Sequence, residues 1–409
     1  MSEEVDSLAN TSGSSTGKIH SLRQSLGLER NVAAASAAVF LLGFGEELWK
    51  KFLPKYLEAL GAGTTTIGLF GTVKDFFDAI YQYPGGWLAD RAGRRRAFLL
   101  FIGLASFGYL IYLFSPSWPF VFLGLAFTMA WTSMASPAIF AVIGDALPKN
   151  KRAIGFTFQS LVKRLPMAVA PMIGGSIIAT LGIRNGIRTG LAITLVLAAI
   201  TVFIVLMINI PVIPGEALNI RGVWRSFHNA LKRLLISDII IRMCEGLPDV
   251  LIVLYVTNVI GVSIAQYGVL VAIQLVTSIV VYIPAAKLAD RFGRKPFVVA
   301  TFVCFALFPV AIAMSSGFAS LVGAFVIGGL REIGEPSRKA MIVDFAVPQL
   351  RARTVGLYYL IRSLSISPAA AIGGLLWRTA PETPFFVAGV VGLIGALVFA
   401  VTVEERYAS

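Results

Sequence analysis

The residues with chemistry to offer are acids and bases set inside stretches that are otherwise apolar. Glu46, Glu47, Lys50, Lys51 and Lys55 crowd one such stretch, Lys74, Asp75 and Asp78 the next, and Arg242, Glu245 and Asp249 a later one. Another reads Arg331-Glu332-Ile333-Gly334-Glu335-Pro336-Ser337-Arg338-Lys339, and Lys163, Arg164 and Arg362 add further positive charge. An ionised side chain at the centre of a hydrocarbon layer costs roughly 2.5–3.5 kcal/mol on insertion scales, so it is kept where it meets a partner or a polar cavity. A cavity carboxylate whose pairing with Lys or Arg is made in one state and broken in another lets a proton bias the conformation. Glu46, Asp78, Glu245, Glu332 and Glu335 are the candidates for such proton coupling. The alternative for each is a static ion pair tying helices together. Glu46–Lys50 and Glu47–Lys51 are i,i+4 pairs in the favoured order, and Lys74 is spaced to meet Asp78. Trp131, Lys163, Arg331, Arg338 and Arg362 are candidates to line a substrate cavity, the bases receiving an anionic group.

The elements that must hold these groups follow from composition. Of 409 residues, 56% are apolar and 14% charged, against about 25% charged in a soluble domain. The mean hydropathy is +0.79, which is that of a membrane protein. The net charge of +13 lies in short linkers between apolar runs, where it faces anionic headgroups rather than nucleic acid. Cys244 and Cys304 fall inside apolar segments and form no disulfide framework or metal spacing, and His20 and His228 lie outside the spans. No metal, cofactor or nucleotide motif is expected, and no nucleophile–base constellation supports an enzyme.

At about 20 apolar residues per crossing the chain divides into twelve all-α spans. They are 32–60, 64–89, 97–115, 118–147, 152–181 and 185–210, then 236–260, 263–289, 297–316, 319–347, 352–380 and 384–403. The expected organisation is a disordered tail (1–30), a six-helix bundle (31–210), a linker (211–235), a second bundle (236–403) and a short tail (404–409). Val223, Phe227, Leu231 and Leu234 share a face, so the linker reads as an amphipathic helix on the inner leaflet. Basic linkers (Arg91 to Arg96, Lys149 to Arg152, Arg221 to Arg233, Arg291 to Lys295, Arg351 and Arg353) alternate with nearly uncharged ones (61–64, 115–117, 261–263, 315–317), with Arg184, Arg188, Arg378 and Glu382 as exceptions. The positive-inside rule places both termini in the cytoplasm of a plasma (inner) membrane protein.

Gly86-Trp87-Leu88-Ala89-Asp90-Arg91-Ala92-Gly93-Arg94-Arg95-Arg96 returns as Ala286-Lys287-Leu288-Ala289-Asp290-Arg291-Phe292-Gly293-Arg294-Lys295. Gly68 and Gly268, Pro137 and Pro336, Asp145 and Asp344, and Ile173-Gly174-Gly175 and Ile372-Gly373-Gly374 also correspond, so the chain is an internal duplication. Two like bundles about an axis along the membrane normal would enclose a midplane cavity. The form G-x-L-A-D-R-x-G-R-R/K resembles the loop signature between helices 2 and 3 of the major facilitator superfamily of secondary transporters. That resemblance implies two six-helix bundles related by pseudo-two-fold symmetry. It also implies a cytoplasmic gate at Gly86, Asp90, Arg91, Gly93 and Arg94, repeated at Asp290, Arg291, Gly293 and Arg294. In the family a functional arginine lies on the fourth helix, where this chain has Thr132; Arg331 aligns with it in the other half. Ala170-Pro171-Met172-Ile173-Gly174-Gly175 resembles the Gly-Pro-rich motif of antiporter branches. Pro171, Gly174 and Gly175 equally suit close helix packing.

The expected function is secondary active transport of a small organic solute by alternating access, as proton-coupled efflux (antiport). The alternative is proton-coupled uptake or exchange of an anionic metabolite. A membrane receptor or sensor without transport would need a soluble output domain, for which the tail and linker are too short. The expected partners are the solute, protons or another coupling ion, and membrane lipid, with the chain acting as a monomer.

Overall fold

A computed structural model describes residues 30–135, 152–206, 224–225, 227–345 and 351–403. All regular structure among the described residues is helical, and it assorts into the twelve expected spans. Span 1 is Arg30–Glu47 followed, after a tight 3-10 turn at Lys50–Phe52, by Leu53–Ala59. Spans 2 and 3 are Thr64–Ala92 and Arg94–Phe114, span 4 is Trp118–Met129 with Ala130–Met134, and spans 5 and 6 are Arg152–Leu181 and Ile183–Leu206. Span 7 runs Asn229–Gly246, Asp249–Leu251, Ile252–Leu254 and Tyr255–Val259. Spans 8 and 9 are Ile264–Phe292 and Lys295–Ala313, span 10 is Phe318–Leu330 and Glu335–Asp344, span 11 is Arg351–Ile366 and Ala369–Leu376, and span 12 is Thr383–Thr402.

Among the described residues, seven stretches of helix are long and apolar enough to cross a membrane on length and composition alone. Of the other five spans, 1, 4, 7 and 10 are interrupted, as span 11 also is between Ile366 and Ala369, and span 2 carries Lys74, Asp75 and Asp78. Irregular backbone and buried charge are tolerated at membrane depth only inside protein or against a polar cavity, so the breaks and charges of these five spans turn inward while apolar residues of the same helices, such as Phe76 and Leu123, are exposed. The outward surface is apolar: Phe114, Phe203, Val280, Leu397 and Val401 are all strongly exposed. Turns between spans are set by local chemistry. Gly93 and Gly293 adopt φ of 84° and 94°, a region closed to most side chains, and each ends one helix where the next begins. Ser263 and Gln266 form a capping box at the start of span 8.

The duplication survives two changes of register. Matching residues lie 199 apart in spans 1 and 7 (Glu46, Glu245), 200 apart from Gly61 and Gly261 to Ser115 and Ser315, and 199 apart again at Pro137 and Pro336. A π turn lies within each interval, Tyr255–Val259 in span 7 and Ala130–Met134 in span 4. Its i→i+5 bonds absorb one extra residue without breaking the helix.

Residues 227–235 differ from expectation. Asn229 already begins span 7, and Phe227, Leu231, Leu234 and Leu235 are buried against Val298, Phe302, Tyr358 and Phe399 of the second bundle. Their apolar face is covered by protein rather than by the leaflet. Val223, the tails, Pro137 and Asp145 lie outside the described residues.

Candidate functional site

A cavity of ≈ 200 Å³ lies between the bundles. Span 1 contributes Lys50 and Lys51 from its 3-10 turn, span 2 Lys74, span 7 Glu245 and Asp249, and span 10 Arg331. Aromatic rings of Phe70, Tyr267, Phe305, Phe308 and Phe325 supply the apolar wall. The breaks in spans 1, 7 and 10 fall at Leu48–Trp49, Leu247–Pro248 and Arg331–Gly334, at or beside these polar residues. Interruption of the helix therefore places charged groups where they reach the cavity.

In the first bundle Glu46 is buried. It accepts from Tyr109 Oη (2.5 Å) and Thr132 Oγ1 (3.2 Å), and Lys50 lies 3.8 Å away. Glu47 is buried too, with Oε2 unbonded. The expected Glu47–Lys51 pair is absent, because the α-helix stops at Glu47 and Lys51 sits in the tighter turn beyond it. Lys74 meets Asp75 (3.2 Å) and, across the two bundles, Asp249 (3.9 Å), not Asp78 as its spacing suggested. Asp78 instead accepts from Ser133 Oγ at 2.6 Å.

The second bundle holds a denser network. Glu245 accepts from Arg242 (2.6 Å) and Arg331 (3.3 Å), and Arg331 lies over the Phe305 and Phe308 rings. Glu335 binds Arg338 (2.7 Å) and Arg242 (3.3 Å), with Lys339 at 3.5 Å. Asp238, fully buried, binds Arg338, accepts from Tyr358 Oη (3.0 Å) and has Arg362 at 3.5 Å. Arg338 and Arg362, which the sequence reading offers to an anionic group, lie beside carboxylates. Glu46 and Glu245 are equivalent, and so are the partners Thr132 and Arg331, so one contact between the first and fourth spans of each half is kept with different chemistry.

Of the expected cavity residues, Arg331 reaches the cavity and Trp131 does not; it is buried on the span 4 π turn against Phe98. The Lys163 side chain lies outside the described residues. Its neighbour Arg164 crosses between bundles to Glu332 (3.1 Å) and Ser278 Oγ (3.1 Å), stacked over Tyr282. Asp238 escaped the sequence reading, although Asp238, Arg242 and Glu245 at i, i+4 and i+7 share one helical face. In the sequence Lys51 and Asp249 stand out only as charges; their place on the cavity follows from the helix breaks.

The two bundles touch closely at the end bearing the uncharged linkers. Lys55 Nζ donates to Asn258 Oδ1 (2.5 Å) and Glu58 Oε2 (2.5 Å), and Asn258 Nδ2 donates to Glu58 Oε1 (2.6 Å). The Ala371 N–H donates to Thr72 Oγ1 at 2.9 Å. Pro171 carries the carbonyl packed on Gly268, where an added Cβ would come within 2.4 Å. A Cβ on Gly174 would lie 1.9 Å from the Leu48 carbonyl oxygen, and one on its counterpart Gly373 1.9 Å from that of Leu247. Gly175 and Gly374 pack the same way across the bundles, with 2.9 Å to the carbonyl oxygens of Ile264 and Thr64.

At the basic-linker end Gly86, Asp90 and Asp290 lie on helices, the two Asp side chains being outside the described residues. Arg91 and Arg291 are exposed over Trp87 and Phe292, Arg94 is buried, and Arg294 binds Asp344 at 2.5 Å.

A family model described as Major Facilitator Superfamily matches residues 35–241 and 234–409. The chain is 21% identical over 378 residues to an MFS-type transporter of Methanocaldococcus jannaschii, covering 90% of this chain and 94% of that protein. It is 25% identical over 337 residues to multidrug resistance protein MdtG of Citrobacter koseri, covering 80% and 82%. Among solved structures, the nucleoside transporter NupG superposes with a TM-score of 0.77 at 13% identity, over 91% of this chain and 100% of that one. A peptide transporter POT gives 0.74 at 15%, over 91% and 93%. At such identities the structural likeness concerns the fold.

Proposed function

Because the chain belongs to the Major Facilitator Superfamily, whose members are membrane transporters and not enzymes, we propose that it moves a small organic solute by alternating access, as proton-coupled efflux. One observation carries this reading: a polar cavity between two pseudosymmetric bundles is shut at the uncharged-linker end by a few hydrogen bonds and close glycine contacts. Such contacts are few enough to be exchanged for others at the opposite end. Efflux is favoured by the likeness to a multidrug resistance protein. Under the positive-inside rule the basic-linker end and both termini are cytoplasmic, in a plasma (inner) membrane, and the chain acts as a monomer.

Among the coupling candidates, Glu245 alone lines the cavity. Its protonation would release Arg331, whose other contacts among the described residues include the Gly328 carbonyl and two aromatic rings. Glu46, Asp78, Glu332 and Glu335 act in this reading as ties between helices, and Asp90, Arg91 and Arg94 as the gate at the basic end. The test is solute movement in proteoliposomes under an imposed pH difference. Glu245→Gln is expected to abolish gradient-driven movement and to leave solute exchange in part. An unchanged pH dependence would reject Glu245 as the coupling group. A second reading, proton-coupled uptake or exchange of an anionic metabolite, is favoured by the four basic residues lining the cavity against two acidic ones. Uphill accumulation in the opposite direction would select it.

A further inference from the structure

The cavity's charges do not cancel pairwise, and what is left over has a definite shape. Arg331 is matched by Glu245, and Lys50 by Glu46 behind it. Lys51 also lines the cavity, yet among the described residues no carboxylate comes within 4.0 Å of it; Glu47, four positions earlier, is buried and does not reach it. Lys74 carries the opposite imbalance. It serves two carboxylates, Asp75 at 3.2 Å and Asp249 at 3.9 Å, and Asp249 keeps half of its side chain exposed. The cavity thus offers one unmatched ammonium on span 1 and one under-matched carboxylate on span 7. The same lining holds rings: Tyr267 and Phe308 each meet Phe325 edge to face, and Phe305 and Phe70 join them. The volume of ≈ 200 Å³ is below the roughly 300–1,000 Å³ of sites for drug-sized ligands.

We propose that the solute is a small zwitterion with an apolar or aromatic body, its anionic group held by Lys51 and its cationic group by Asp249. This rests on the transporter reading above, and it names the cargo. A lone anion would satisfy Lys51 and leave Asp249 under-matched; a lone cation would do the reverse. A zwitterion answers both, and its neutral sum adds no net charge to a site walled by apolar rings, where an uncompensated ion is costly. The aromatic body takes the place of water against the ring wall.

The experiment is calorimetric binding to the purified full chain in lipid nanodiscs. The probes are phenylalanine, 3-phenylpropionate (anion only) and phenethylamine (cation only). Phenylalanine is expected to bind about tenfold or more tighter than either single-charge analogue. Lys51→Gln is expected to erase its advantage over phenethylamine, and Asp249→Asn its advantage over 3-phenylpropionate. Lys51→Arg, which keeps the charge, is expected to preserve the ranking and shows that the site still folds. Equal binding of phenethylamine and phenylalanine to the unaltered protein overturns the proposal, as does a ranking that neither neutralising variant changes. Binding is read without a gradient, so a preserved ranking in protein that moves no solute would defeat the transport reading alone. Gradient-driven movement of a different solute with no such ranking would defeat only this one.

Discussion

Loss of the Asn258 side chain should weaken the closure of the two bundles at the uncharged-linker end, where the Thr72–Ala371 bond and the glycine contacts remain. Asn258 makes two hydrogen bonds across the interface, accepting from Lys55 and donating to Glu58. Asn258→Ala removes both, yet Lys55 stays paired with Glu58 on its own span at 2.5 Å, so no buried charge is orphaned. Hydrogen bonds to charged groups contribute about 1.5–3 kcal/mol each. Asn258 is exposed and the Glu58 side chain is 36% accessible, which brings the pair of bonds to about 2–3 kcal/mol together. That is a change of about 30- to 150-fold in the ratio of closed to open forms. An ensemble at about 99:1 would fall to about 3:1 at the lower limit and below 1:1 at the upper. Spin labels at Pro116→Cys and Ser316→Cys, on the uncharged linkers and with Cys244 and Cys304 replaced, read this as a second, longer distance. A distance distribution identical to that of the unaltered protein would refute the reasoning.

Gly174→Ala and Gly373→Ala each drive a Cβ to 1.9 Å from a backbone oxygen and should cost about 1–3 kcal/mol, seen as a lower melting temperature in detergent. Gly103→Ala, with open space around it, should not lower it. Asp238→Ala strips a fully buried carboxylate from Arg338 and should destabilise by about 3–5 kcal/mol; the double variant with Arg338→Met should recover part of that by the same measurement. Arg164→Glu should impair transport by setting two acids against each other across the bundles, and Glu332→Arg in the same chain should restore it. Asp90→Asn should shift the accessibility of cysteine probes between the two membrane faces, and equal labelling in both forms would count against the gate.

Much of this was legible in the sequence because the duplication was. A motif recurring 200 positions on, with matched glycines and prolines, fixes twelve spans and two halves before any coordinates. What could not be read was which charge meets which. The i,i+4 rule presumes an unbroken α-helix, and it gives Glu47–Lys51 a partner that the stop at Glu47 removes. It likewise sends Lys74 to Asp78, whereas Asp78 turns to Ser133 on span 4 and Lys74 to Asp249 in the other half. Asp238 was missed because a carboxylate near the start of an apolar run looks like a boundary residue. Only the packing of spans 10 and 11 on span 7 buries it under Arg338, Tyr358 and Arg362. The π turns show in the sequence only as changes of spacing between matched residues, from 199 to 200 and back, because one added residue in a long apolar stretch leaves no mark on composition.

The central claim is that the bundles must part at the uncharged-linker end for solute to cross. Thr72 and Ala371 face each other there through the 2.9 Å bond from the Ala371 N–H, so Thr72→Cys with Ala371→Cys, in a chain lacking Cys244 and Cys304, can be joined by mild oxidation. Solute flux in proteoliposomes should stop when mass spectrometry shows the disulfide formed and return on reduction. Undiminished flux through the fully cross-linked protein would contradict the account.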